Sequence, residues 1–215
     1  MSKIKFFVVS ISGGGIRGIL PAKILNYIQN KLREKSQDDN FHLSSLVDLY
    51  AGTSTGSIIA LALNLKEDEK FKFLPGDLIQ LYLDYGKDIF KQDFIHNLFT
   101  LGGLTGPRYS ELGLESVIEK FFKDKSLLDL HTNVIIPAHN ITQDDPNKVL
   151  TFFTSHDAKK KDLNYFLKDV IRASTAAPTY FAPAYFKRIN ENKEYFGEST
   201  GYIDGGVFAN CPALC

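Results

Sequence analysis

The chain has 215 residues, 44% of them hydrophobic, and its 25 Lys and Arg balance its 25 Asp and Glu. That length and apolar content suit one globular domain over residues 1–215, or one domain and part of another, and the even charge excludes a strongly basic nucleic-acid binder or a polybasic membrane anchor. Two cysteines, Cys211 and Cys215, are too few and too close for a disulfide framework, and five scattered histidines lack ligand spacing, so a reducing compartment and a metal-free chemistry are expected.

Residues 4–9 read as a first strand. Lys3 and Lys5 flank its start, but the apolar stretch is short and glycines follow where a cleavage site would be, so it reads as a first core strand and not as a signal peptide. A helix follows over residues 17–35, with Ile24, Tyr27, Ile28 and Leu32 on one face. Residues 46–51 form a second strand, and the apolar run 58–65 a buried helix. Residues 77–90 make a third helix on a face of Leu78, Leu81, Tyr82 and Tyr85. Residues 99–110 are loop-like. A helix over 111–123, strands within 133–142 and over 149–154, and a helix over 163–174 complete the alternation. Residues 176–186 are aromatic and punctuated by proline, and residues 201–206 read as a strand ending in a turn. Strands alternating with helices predict a three-layer α/β/α sandwich with a largely parallel central sheet, whose sites form at the carboxyl ends of strands. No apolar run approaches the about 18 residues that a membrane span needs.

Three glycine-marked turns follow predicted strands. The first, "SISGGGIRGIL", admits three readings. Gly13-x-Gly15-x-x-Gly18 matches a dinucleotide fingerprint, but Glu34, Asp38 and Asp39 lie in a helix end and a polar loop, where no second strand can present them to a ribose. A P-loop fails, because Ile19-Leu20 stand where Lys and Ser or Thr belong. The third reading is an oxyanion hole, with the backbone of Gly13, Gly14, Gly15, Ile16, Arg17 and Gly18 turning N–H groups toward one point at a helix start.

The second turn favours the third reading. Gly52-Thr53-Ser54-Thr55-Gly56 is G-x-S-x-G between a strand and a helix, the setting of a nucleophile elbow. Ser54 needs a base. Every histidine precedes the late acidic turn, so an acid-then-histidine order is unavailable. Asp204 closes the strand "GYID" ahead of Gly205 and Gly206 and would stand at the same sheet edge as Ser54. A partly desolvated carboxylate, its pKa raised, could take the serine proton directly.

Together "GGGIRG" at 13–18, "GTSTG" at 52–56, "DGG" at 204–206, "ASTAAPTYFAP" at 173–183 and "VFANCPAL" at 207–214 resemble the patatin-like phospholipase family in composition and order. The resemblance implies a lipid acyl hydrolase with a Ser54–Asp204 dyad, an oxyanion loop braced by Arg17 and no cofactor or metal. It implies a phospholipid or other acyl-lipid substrate reached by transient membrane contact, in a cytoplasmic protein peripheral at membranes. Two departures leave the dyad untouched: Ser12 stands where the family often has Asp, and Cys211 replaces the second Asn of a common "NNP". The chain ends 11 residues past Asp204, whereas family members usually continue, so a C-terminal part is expected to be absent. A soluble carboxylesterase or thioesterase, a nucleotide-binding oxidoreductase and a catalytically silent lipid-binding module are the competing functions. For membrane contact the candidates are residues 94–104, with Phe94, Ile95, Leu98, Phe99, Leu101 and Leu104 beside glycines, and residues 180–186.

Overall fold

The computed structural model describes residues 5–89, 111–146 and 148–214. Its sheet contains β1 (Val8–Ile11), β2 (Leu49–Gly52), β5 (Asn133–Asn140), β6 (Leu150–Thr154), β7 (Ala184–Ile189) and β8 (Tyr195–Asp204); β3 (Lys66–Glu67) and β4 (Lys70–Phe71) pair separately. The helices are α1 (Ile19–Ser36), α2 (Thr55–Asn64), α3 (Pro75–Ile89), α4 (Glu111–Phe122), α5 (Ser155–Lys160), α6 (Leu167–Thr175) and the short α7 (Gly206–Ala209). This is the α/β/α architecture expected, and four of the six strands (β1, β2, β5 and β7) run the same way. Among the described residues no helix is long and apolar enough to cross a membrane.

The pairing around β5 positions everything else. β1 and β2 lie parallel, and β2 continues parallel onto β5 through Leu49↔Asn133 to Ala51↔Ile135. β8 pairs antiparallel with the far part of β5, through Ala138↔Asp204 to Asn140↔Tyr202. β6 pairs with Ile135 to His139, overlapping both sets of partners. A strand has two hydrogen-bonding edges, so β6 takes one and β2 and β8 share the other. The two therefore approach each other end to end along one edge of β5, carboxyl end facing carboxyl end, with Pro137 at the gap between them. Asp204 meets the end of β2 inside the sheet and not at its rim.

All ten residues of α2 are buried. Leu61, Leu63 and Ile59 are fully enclosed, each contributing about 1.5–3 kcal/mol by leaving water. The α3 face falls where the periodicity puts it, with Leu78, Leu81 and Tyr82 buried and Tyr85 partly so. The α1 face does not. Ile24, Tyr27 and Ile28 are exposed and Leu32 is partly buried against the core, while Ala22, Leu25 and Gln29 are buried. The buried amide accounts for the difference: Gln29 Nε2 donates to Phe41 O at 2.5 Å and its Oε1 accepts the Leu43 N–H at 2.8 Å. A polar residue thus anchors the loop after α1 and turns the predicted stripe outward. Within residues 180–186, Phe181 and Phe186 are buried in the core, whereas Tyr180 and Tyr185 are exposed. Residues 94–104 lie outside the described residues.

Candidate active site

β2 stops at Gly52 and α2 starts at Thr55, so Thr53 and Ser54 carry the reversal. Ser54 has φ 54° and ψ −128°. That conformation costs a residue with a side chain about 1–3 kcal/mol and persists only where its surroundings fix it. Here they do. Ser54 O accepts from Ser57 N–H at 2.9 Å and from Ser57 Oγ at 2.6 Å, and Gly56 N–H closes on Thr53 O at 2.8 Å. Thr53 Oγ1 donates to Ala209 O at 2.6 Å. A Cβ at Gly52 would strike the Gly56 carbonyl, and one at Gly56 the Ile11 carbonyl, so both glycines let backbone pack directly on backbone. The Ser54 side chain makes no capping bond to α2. Ser54 instead lines a cavity at the positive end of the α2 dipole.

Asp204 is 4% exposed at the end of β8. Burial pushes its carboxyl up to about 6, against hydrogen bonds from Gly206 N–H (2.7 Å) and the Ser54 side chain that favour the ionised form. Gly205 lies against Pro137 so closely that a Cβ would overlap its carbonyl oxygen. A second carboxyl, Asp169, is also raised to about 6 by burial, but it accepts from Tyr195 Oη at 2.9 Å and does not line the Ser54 cavity.

The glycine loop divides its labour. Gly13 N–H donates to Asn210 O at 3.1 Å, and Arg17 N–H donates to Gly14 O at 3.1 Å. Arg17 Nε also donates to Gly14 O, at 3.3 Å. The C=O and N–H of a trans peptide point opposite ways, so gripping the Gly14 carbonyl aims the Gly15 N–H in the reverse direction. Among the described residues no acceptor takes the N–H of Gly14, Gly15 or Ile16. Gly15 has φ 57°, which favours glycine. Gly18 is packed under Tyr82, whose hydroxyl donates to Thr55 O at 3.2 Å and so links this loop to the elbow helix. Burial raises the Tyr82 phenol pKa, keeping it a neutral donor.

These pieces border one cavity of about 530 Å³. Ser54, Asp204 and the glycine loop line it together with the apolar Ile89, Leu114, Phe181 and Val207. The volume lies in the range of small-molecule sites. Among the described residues no three His, Cys, Asp or Glu side chains lie close enough together to hold a metal.

The profile of the patatin-like phospholipase family matches residues 9–214. The chain belongs to that family. It is 36% identical to Patatin-like protein 2 of Arabidopsis thaliana over 217 residues, covering 96% of this chain and 50% of the relative. Patatin-like protein 2 of Oryza sativa subsp. indica is 33% identical over 213 residues, covering 97% and 51%. A potato relative, "Probable inactive patatin-3-Kuras 1", is 30% identical over 208 residues, covering 96% and 52%. The chain thus spans about half the length of these curated relatives.

Against this patatin-like frame, the residues that tie the motifs together are those the sequence left silent. Ser174 accepts the Ser54 N–H, Asn210 and Ala209 fasten the loop and the elbow, and Tyr82 joins both. Ser174 and Asn210 sit inside stretches that resemble the family, which was their only signal. Tyr82 read simply as one member of a helix face.

Proposed function

We propose that this chain is a serine acyl hydrolase of the patatin-like kind, cleaving carboxylic esters of phospholipids or related acyl lipids. Ser54 is the nucleophile, Asp204 the general base, and the N–H groups of Gly14, Gly15 and Ile16 the oxyanion hole. The observation that carries the reading is a buried carboxyl, raised to about 6, that borders the same cavity as a serine held at a strained strand-to-helix turn.

In acylation, ionised Asp204 takes the Ser54 Oγ proton as Oγ bonds to the ester carbon, and the carbonyl electrons move onto the oxygen facing the free N–H groups. Collapse restores the carbonyl and breaks the bond to the alcohol, which leaves with the proton from Asp204. In deacylation, a water gives its proton to Asp204 and its oxygen to the acyl carbon, releasing the acid and returning the proton to Ser54. A base with pKa near 6 is ionised at neutral pH yet basic enough to share the proton. The apolar wall of Ile89, Leu114 and Phe181 suits an acyl chain. Contact with a membrane surface, which a bilayer substrate demands, forms part of the proposal.

The test combines a fluorophosphonate probe with a lipid panel read by mass spectrometry. Covalent labelling at Ser54 together with fatty-acid release from phospholipid vesicles is the expected result. Labelling with turnover of short soluble esters alone would make the chain a soluble esterase, and vesicle binding without labelling would make it a silent lipid-binding module.

A further inference from the structure

We infer that Ser174 is a positioning residue that sets the nucleophile against its base, by fastening the Ser54 backbone to the Pro137 carbonyl in the gap between β2 and β8. The inference rests on the Ser54–Asp204 reading and extends it to a residue outside the dyad and the oxyanion loop.

Ser174 lies one residue before the end of α6 and is fully buried. Its Oγ lies 3.0 Å from the Ser54 nitrogen and 2.8 Å from Pro137 O. A backbone N–H can only donate and a carbonyl can only accept, so the roles are fixed. Ser174 accepts from Ser54 and spends its one proton on Pro137. It has none left for chemistry and cannot stand in as a nucleophile.

The place of this bridge gives it meaning. Ser54 and Asp204 come from strands that run toward each other along one edge of β5 and share no hydrogen bond through the sheet. Pro137 lies between their last partners on β5, Ile135 and Ala138. On the base side its carbonyl is the surface against which Gly205 packs without a Cβ. On the nucleophile side, the Ser174 hydroxyl connects it to the Ser54 N–H. One oxygen atom is thus the common reference for both halves of the dyad. The Ser54 N–H would otherwise stay unpaired in a strained conformation that needs external fixing.

Steady-state kinetics on a soluble ester, fluorophosphonate labelling rates and thermal melts would be measured for Ser174→Ala, Ser174→Thr and Ser174→Cys, with Ser155→Ala as control. Ser155 is another fully buried serine whose Oγ accepts a backbone N–H, that of Val134 at 3.2 Å, remote from the cavity. Expected is an about 10- to 100-fold loss of kcat and labelling rate in Ser174→Ala, with KM within about twofold. Ser174→Thr, which keeps the hydroxyl, recovers most of that loss. Ser155→Ala lowers the melting temperature but keeps its turnover. Should Ser174→Ala fail to fold, Ser174→Cys decides, because it fills the site with a weak donor and acceptor; a roughly tenfold loss is expected. Turnover within about twofold of wild type in the folded Ala or Cys variant, or a loss equal to that of Ser155→Ala, would overturn the inference. An unlabelled wild type, or wild-type labelling in Asp204→Asn, would instead overturn the dyad reading beneath it.

Discussion

Replacing Asp204 by asparagine should make the protein more stable while it destroys turnover. The carboxyl is 4% exposed and its pKa is raised from 3.8 to about 6. Burial is the largest cause, so the ionised form is the one penalised. The sign follows from proton binding. Between pH 4 and 6 the folded state holds a proton that the unfolded state has released, so acidification favours folding through this group. Above pH 6 both states are ionised and the full penalty stands. Two pKa units correspond to about 3 kcal/mol. The asparagine carries no charge, keeps an oxygen for the Gly206 N–H, and should recover about 1–3 kcal/mol at pH 8. For a domain of this size that is a rise of about 3–10 °C in melting temperature. At pH 4.5 wild-type Asp204 is already mostly protonated when folded, and the advantage of the variant should be smaller by about 2 kcal/mol than at pH 8. Turnover should fall by about 10³-fold or more, on the scale of losing the base at a serine. Melts of both proteins at pH 8 and 4.5, with ester hydrolysis on the same samples, test this. A variant no more stable at pH 8, or equally stabilised at both pH values, would refute burial as the source of the shift. Hydrolysis within about tenfold of wild type would remove Asp204 from the base role.

In a pH profile of kcat/KM, the wild type should lose activity below about pH 6 with a slope of one proton. Asp169→Asn should keep that limb, and its loss there would assign the titration to the wrong carboxyl. Ser54→Ala should abolish both hydrolysis and fluorophosphonate labelling in a folded protein; residual wild-type turnover would point to another nucleophile. Gly14→Ala should fold normally, since φ is −176° and the nearest contact to its Cβ is ordinary, 3.6 Å to Arg17 Cβ. Gly205→Ala should lose about 1–3 kcal/mol or more against the Pro137 carbonyl, and equal melts for the two variants would contradict the close packing beside Asp204. Excess chelator should leave hydrolysis unchanged, and a loss reversed by calcium or zinc would rule out the metal-free route.

The parts of the site written in local turn chemistry were legible. G-x-S-x-G between a strand and a helix announces an elbow because only glycine permits the contacts at positions 52 and 56. The bracing of the glycine loop through Arg17 is a contact over three residues, within reach of a pattern. What stayed hidden is non-local. Nothing in "GYID" says that its strand runs against β5 and meets β2 end to end, since pairing direction is settled by the whole sheet. The α1 stripe misled because periodicity scores Gln29 as polar and blind to a loop twelve residues away that its amide could satisfy. β7 escaped notice because Pro178 and Pro183 punctuate the approach to it. The short α5 was hidden in a polar stretch, where the Thr154 side chain caps it by accepting the Asp157 N–H at 2.9 Å.

The fastening of Thr53 to Ala209 spans 156 residues. A ribosome adding about 5–20 residues each second would need roughly 8–30 s to bridge that interval. Throughout it Ser54 exists without Asp204, the base proposed for it, and the glycine loop without the Asn210 carbonyl that anchors Gly13. Activity should therefore switch on late in synthesis, after the segment around residues 204–210 has cleared the exit tunnel. On the proposed reading, a nascent chain shorter than this would carry the Ser54 turn without the carboxylate and the loop anchor that complete the cavity, and order of synthesis alone would hold the site unassembled.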